Sequence, residues 1–265
     1  MPDQFLQAAP CSLRYRAIRQ LAQTGGSTII LADDCQQPAQ QVVLKRLSRM
    51  STPFTAVLRE VQIMQLLKAR CPSLAIPQVY EMFSDQQWWS IVMEYLPGQT
   101  LEALLAQRRS AAFSVAEGLA LGLALTNILA VLHEVTPIVH RDIKPANILY
   151  RQGRIFLLDF GTACDVLAPS DPFFRGTRGF ASPEQEGGHA ITPQADIYGL
   201  GATLYRLISG KLPERSFPVL TQARVFPPPV AQLIGWMTRT DPIQRPASMP
   251  VVHEVLTTIR ASTSY

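Results

Sequence analysis

Four polar side chains crowd into a short stretch of the chain: Asp142, Lys144, Asn147 and Asp159. A carboxylate can orient a hydroxyl and accept its proton, and an ammonium two positions on can neutralise an anion. An amide and a second carboxylate offer the oxygen ligands that a hard divalent cation prefers. Asn147 follows Asp142 by five positions and Asp159 follows it by seventeen. Between them, Ile148-Leu149-Tyr150 and Ile155-Phe156-Leu157-Leu158 read as two short strands around a turn at Gln152-Gly153. Asn147 and Asp159 are therefore expected to flank a hairpin and converge.

The elements that must position these groups are legible in outline. From Leu13 to Leu47 the pattern is strand-like: Leu13 to Leu21, a turn at Thr24-Gly25-Gly26-Ser27, Thr28 to Leu31, a polar loop, then Val42 to Leu47. After Pro53, the segment Phe54 to Ala69 sets Val57, Val61, Met64, Leu67 and Lys68 at helical spacing, with Glu60 on the neighbouring face. Val79 to Phe83 and Trp89 to Tyr95 complete a small sheet of five strands with one helix. Pro97-Gly98 breaks the pattern, and from Thr100 onward the chain is expected to be helical apart from the catalytic hairpin. Val115 to Leu132 is the longest apolar stretch. Glu117, Thr126 and Asn127 interrupt it, which favours a buried helix over a membrane span.

The 265 residues are 47% hydrophobic, enough for a sizeable core. A net charge of +4 without a clustered basic patch gives no reason to expect nucleic-acid binding. Cys11, Cys35, Cys71 and Cys164 lack any paired metal-type spacing. Cys164 reads as a small half-buried residue rather than a reactive thiol. Met1-Pro2-Asp3-Gln4 shows no basic-then-apolar secretory signal, so a cytoplasmic location is expected.

His140-Arg141-Asp142-Ile143-Lys144-Pro145-Ala146-Asn147, followed by Asp159-Phe160-Gly161, resembles the catalytic and metal-binding loops of protein kinases. With Ser182-Pro183-Glu184-Gln185, the wording is similar to bacterial serine/threonine kinases. The resemblance implies an α+β, bilobal protein-kinase-like fold: a small antiparallel β-sheet lobe with one helix, residues 13–96, and a larger mainly helical lobe, residues 97–262. Residues 1–12 would be a short extension. It implies transfer of the γ-phosphoryl of ATP, with Mg2+ or alternatively Mn2+, to serine or threonine hydroxyls of protein substrates. No nucleic acid and no membrane segment are expected, and homodimerisation for autophosphorylation is a further option.

Residue by residue, the resemblance makes Asp142 the base, Lys144 the partner of the transferred phosphoryl, and Asn147 and Asp159 the metal ligands. Lys45, closing Val42-Val43-Leu44-Lys45, would hold the α- and β-phosphates and pair with Glu60, fifteen residues downstream. Ile29, Val43 and Leu149 would sandwich the adenine, Met93 would guard the back of its pocket, and the backbone of Glu94 to Leu96 would bond the base. The phosphate-covering loop departs from the family. The glycine positions fall at Ala22, Thr24 and Ser27, with Gly25 and Gly26 between them, and Thr24 is β-branched and stiff.

Gly176-Thr177-Arg178-Gly179-Phe180-Ala181-Ser182-Pro183-Glu184 resembles the end of an activation segment. Thr177 would contact Asp142 and Lys144, Glu184 would pair with Arg245, and Asp196 would brace the catalytic loop. Arg141 suggests a phosphate on that segment, with Ser170, beside Asp171, as its site. The short, proline-bounded segment from Leu212 to Phe226 hints at a reduced docking surface. The altered glycine loop keeps open a second reading, a pseudokinase that binds nucleotide or a partner protein. A small-molecule kinase of related fold is a third, against which Thr177, Glu184 and Arg245 count.

Overall fold

A computed structural model describes residues 14–24, 26–37, 39–108, 112–166, 175–213 and 226–262. Gly25, Ser170, Asp171, Cys11, the 1–12 extension and most of the segment from Leu212 to Phe226 lie outside the described residues. The chain divides into two compact units. The first runs to Pro72 and resumes from Ile76 to Pro97; the second takes Ser73–Ala75 and the chain from Gly98 on.

The first unit is a sheet in the order β1-β2-β3-β5-β4, every neighbour antiparallel, with one helix. The strands are β1 (Tyr15–Gln23), β2 (Ser27–Asp34), β3 (Gln41–Ser48), β4 (Val79–Ser84) and β5 (Trp88–Glu94); the helix is α1 (Phe54–Arg70). β1 and β2 run two to three residues beyond the apolar runs seen in the sequence. Polar Gln23 and Asp34 still take part in the ladder or lie at its end, because backbone pairing does not depend on side-chain polarity. The two-residue period of the strands sorts the sheet into two faces. Tyr15, Ala32, Val42, Leu44, Phe83 and Val92 form a hydrophobic cluster with Ile30 against it. On the other face Lys45 stands opposite both Ile29 and Ile91, and Val43 opposite both Leu31 and Met93. In α1, Val57, Glu60, Val61, Met64 and Leu67 are buried at helical spacing, and Lys68 and Arg70 sit in the last turn, where cations complement the helix dipole.

The second unit is mainly helical: α2 (Leu101–Gln107), α3 (Val115–Val135), α4 (Pro183–Glu186), α5 (Gln194–Ser209), α6 (Pro228–Met237) and α7 (Met249–Ser262). It also holds β6 (Gln99–Thr100), β7 (Ile138–Val139), β8 (Ile148–Arg151), β9 (Arg154–Leu157) and β10 (Cys164–Asp165). The sequence indicated the β8–β9 hairpin but not β6, β7 or β10. Each of those has two residues, too few to display a period, and each exists only because a partner strand reaches it: β6 pairs with β8, and β7 with β10. Cys164, on β10, is half-buried. Ser73–Ala75 groups with this unit, where Leu157 N–H donates to Ala75 O at 2.9 Å.

Helix α3 is long and apolar enough to cross a membrane by length and composition, and 50% of its most apolar window is buried inside the protein. It packs on α5 and α7. Gly118 makes the approach to α5 feasible, because a Cβ there would lie 2.6 Å from Ile208 Cγ1. The helix begins at a capping box: Glu117 N–H donates to Ser114 Oγ at 3.2 Å and Ser114 N–H to Glu117 Oε2 at 2.7 Å. Arg108 adds a two-pronged bond to Glu117, at 2.7 and 3.0 Å. The Arg108 bond, opposed by partial burial and aided by the Ser114 bonds, lowers the Glu117 carboxyl from 4.5 to about 2. Its stabilisation is therefore present above pH 4.5 and lost as pH falls toward about 2. Both side chains are at least a third exposed, so screening holds the contribution below about 1 kcal/mol. An NMR titration of Arg108→Ala should show the Glu117 carboxyl moving back up toward its ordinary range.

Candidate active site

Each unit carries part of the candidate chemistry. In the first, strand alternation and helix periodicity bring a lysine and a glutamate inward: Lys45 Nζ lies 2.6 Å from Glu60 Oε1, with side chains 5% and 2% exposed. Two charges so far from water persist only when paired. Ile29, Val43 and Met93 share the Lys45 face of the sheet. Glu94 is pinned at the end of β5, its N–H donating to Gln78 O at 2.8 Å and its Oε2 accepting from Gln78 N–H at 3.2 Å. Leu96 is buried.

The β1–β2 turn is closed by the residues that replace glycine. Thr24 N–H donates to Ser27 O at 2.9 Å, Ser27 N–H donates to Thr24 Oγ1 at 3.2 Å, and the two hydroxyls lie 2.9 Å apart. Ala22 pairs with Ile29 across the ladder. Gly26 has open space around it and does not use a positive φ. Thr24 and Ser27, standing at two of the family's glycine positions, thus bond to each other across the turn.

In the second unit the catalytic loop hangs from α5. Asp196, fully buried in its first turn, accepts from His140 N–H at 2.9 Å and Arg141 N–H at 2.8 Å, and lies 2.9 Å from His133 Nε2. Burial alone would raise its carboxyl; the bond and charge of His133 and the His140 amide outweigh that and hold it below the usual carboxylate range. Thr203 Oγ1 donates to Ile143 O at 3.0 Å. His140 joins the loop to the β9 exit: Asp142 N–H donates to its Nδ1 at 3.3 Å, which assigns the proton to Nε2, 3.0 Å from Leu158 O.

Within this frame Asp142, Lys144, Asn147 and Thr177 come together. Lys144 Nζ donates to Asp142 Oδ2 at 2.7 Å and also to Thr177 Oγ1. Asn147 Nδ2 donates to Asp142 O and Oδ2, both at 2.9 Å. Asp142 is 6% exposed, and its Oδ1 is buried with no hydrogen-bond partner among the described residues. Thr177 reaches Asp142 through Lys144. Leu158 N–H donates to Asn147 O at 2.8 Å, which brings the chain back beside Asn147 just before Asp159. Arg141 and Asp159 both take positive φ, 68° and 57°, a conformation unusual for non-glycine residues and held here by the bonds around them.

The amide nitrogen of Asn147 is committed to Asp142, which leaves its oxygen as the ligand atom, and Asp159 adds a carboxylate. This donor set suits a hard cation that draws further oxygens from a phosphate ligand. Among the described residues no group of three or more His, Cys, Asp or Glu could hold a metal alone. Leu149, on β8, is buried and pairs with Thr100 and Phe156.

The pair Glu184–Arg245 joins α4 to the turn before α7. Arg245 Nη1 and Nη2 meet the two Glu184 oxygens at 2.6 and 2.7 Å. Arg141, for which the sequence suggested a phosphate partner, is 5% exposed and donates Nε to Thr162 O, while Thr162 Oγ1 donates to His140 O. Sequence reasoning gave no role to His133 or Gln185. The spacing Ser182-x-x-Gln185 is a capping-box signature and could have marked Gln185; nothing local marks His133.

A family model described as "Protein kinase domain" matches residues 26–257. Curated relatives include "Serine/threonine-protein kinase C" of Synechocystis sp., 31% identical over 88% of this chain and 47% of the relative. "Serine/threonine-protein kinase PknA" of Nostoc sp. is 31% identical over 76% of this chain and 38% of its own length. "Serine/threonine-protein kinase D" of Synechocystis sp. is 30% identical over 76% and 41%. The chain spans less than half the length of these relatives. The family match covers most of both units, including the strand that carries Lys45 and the segments that carry Asp142, Asn147 and Asp159, and the chain therefore belongs to the protein kinase domain family.

Proposed function

We propose that the chain is the catalytic domain of a serine/threonine protein kinase, transferring the γ-phosphoryl of ATP to protein hydroxyls. The observation that carries this is Asp142: a buried carboxylate with one oxygen held by Lys144 and Asn147 and the other left as an acceptor. A substrate hydroxyl at Oδ1 would be oriented and could pass its proton there. Lys144 would neutralise the transferring group, and Thr177, bonded to the same ammonium, would help present the acceptor. Lys45, held by Glu60, would bind the α- and β-phosphates, while Ile29, Val43, Met93 and Leu149 would contact adenine, with the backbone of Glu94 to Leu96 bonding the base. Asn147 and Asp159 would hold Mg2+, or Mn2+ in its place, which would supply charge neutralisation to the phosphates. Catalysis by such a set is positioning and electrostatics, with little covalent chemistry.

The names of the relatives support serine and threonine as acceptors, and we place the activity in the cytoplasm with protein substrates as partners and no nucleic acid. A second copy would serve as substrate in autophosphorylation. The domain limits would be 13–262, divided near 96–97. A pseudokinase reading is disfavoured because Lys45, Glu60, Asp142, Lys144, Asn147 and Asp159 all fill their positions. The turn at Ala22, Thr24, Gly25, Gly26 and Ser27 would cover the phosphates through its backbone, with weaker affinity as its consequence.

The direct test is transfer from labelled ATP with magnesium to the protein itself and to a mixed peptide panel, with the modified residues mapped; phosphate on serine or threonine is expected, and none on any acceptor would sink the reading. Lys45→Met should lower transfer at least about 100-fold while circular dichroism stays that of a folded protein. Because Lys45 is buried against Glu60, its melting temperature should also fall. A folded variant with undiminished turnover would remove Lys45 from the mechanism.

A further inference from the structure

We propose that Gln185 is a positioning residue that ties the end of the activation segment to the peptide carrying Asp142; the inference rests on the kinase reading above. Its side chain is 4% exposed and its amide is saturated. Nε2 donates to Arg141 O at 2.8 Å and to Arg175 O at 2.9 Å. Oε1 accepts from Ser182 N–H at 3.1 Å and from Ser182 Oγ at 3.0 Å. An amide has two donor hydrogens and two acceptor lone pairs, so all its capacity is in use.

The two carbonyls it holds belong to the two halves of the acceptor machinery. Arg141 O is in the peptide bond to Asp142, and that peptide's N–H is held by His140 Nδ1 at 3.3 Å. Arg141 N–H is held by Asp196 at 2.8 Å. Gln185 therefore adds a restraint on the carbonyl of a residue in the left-handed region, at φ 68°. Arg175 lies two residues before Thr177, whose hydroxyl shares Lys144 with Asp142. The intervening Gly176 has φ 133°, and a Cβ there would come within 3.0 Å of both Arg141 O and Gln185 Nε2. A glycine, a glutamine and a backbone carbonyl thus form one contact that couples base and acceptor platform with neutral groups alone.

Glutamate at this position would aim an acceptor oxygen at two carbonyl oxygens; methionine would fill the space without bonds. The test compares wild type, Gln185→Met, Gln185→Glu and Ser182→Ala for peptide phosphorylation, ATP KM, thermal unfolding and amide hydrogen exchange. Both Gln185 variants, folded, should lose about 10- to 100-fold in kcat with ATP KM unchanged, and exchange should accelerate together in residues 140–144 and 175–180. Ser182→Ala, which leaves both donor bonds in place, should stay within about threefold. Wild-type kcat in a folded Gln185→Met or Gln185→Glu protein would overturn the proposal, as would a loss seen in peptide KM alone. If one variant fails to fold, the other carries the comparison. If the wild type transfers no phosphate, the kinase reading fails, and the exchange data still decide the bridge: acceleration in both segments upholds it, and unchanged exchange in residues 140–144 refutes it.

Discussion

Asp142→Asn is expected to bind nucleotide like the wild type and to transfer phosphate about 10²- to 10⁴-fold more slowly. The substitution should be selective because of how the carboxylate is held. Lys144 and Asn147 both donate to Oδ2, so the new amide must turn its oxygen toward them. Its NH2 then occupies the place of Oδ1, the buried atom with no partner among the described residues. A donor replaces the acceptor that a substrate hydroxyl would need, while the bonds to Lys144 and Asn147 survive. Labelled-phosphate transfer read beside nucleotide affinity checks this. Transfer at the wild-type rate would remove Asp142 as the base and point to a different acceptor geometry.

Arg245→Met is expected to destabilise the protein by about 3–5 kcal/mol, since it leaves the Glu184 carboxylate buried and uncompensated. The loss goes beyond one ion pair. The guanidinium uses every N–H: two on Glu184, and the others on Arg239 O, Gln194 O and Thr240 O at 2.8, 2.9 and 3.1 Å. Its side chain is 0% exposed, so no water replaces those bonds. A fall in melting temperature on the order of 6–20 °C follows for a chain of this size. Arg245→Lys should fail almost as badly, since an ammonium has three donors and no planar fork. Adding Glu184→Leu to Arg245→Met should recover part of the loss by removing the stranded charge; the bonds to Arg239 O, Gln194 O and Thr240 O would still be gone, so recovery should be incomplete. Calorimetry on the three variants separates these contributions. A melting temperature unchanged in Arg245→Met would show that α4 and the turn before α7 are held by other means.

Arg245 and Glu184 are 61 residues apart, and their pairing was anticipated through resemblance, not through any local pattern. By contrast, the small sheet and α1 were readable directly. The apolar run Val42 to Leu44 and the helical spacing from Val57 to Leu67 are set by neighbours a few residues apart, while the pairing of Lys45 with Glu60 came through the resemblance. The β8–β9 hairpin was readable for the same reason, from two apolar runs and a turn dipeptide. The motif around Asp142 named its residues, since their spacing is short and their types are specific.

The sequence by itself therefore determined the small sheet with its one helix, the β8–β9 hairpin and the spacing of the motif from Asp142 to Asp159. Tertiary structure alone decided that His133 shares Asp196 with the catalytic loop and that Gln185 spans from Ser182 to Arg141. It also created β6, β7 and β10, which have no period of their own. The physical reason is one of range. Periodicity is a property of the backbone's own repeat and survives in any short window. A hydrogen bond across 44 or 63 residues exists only after packing has brought both partners to within 3 Å, and no window of the sequence contains that distance.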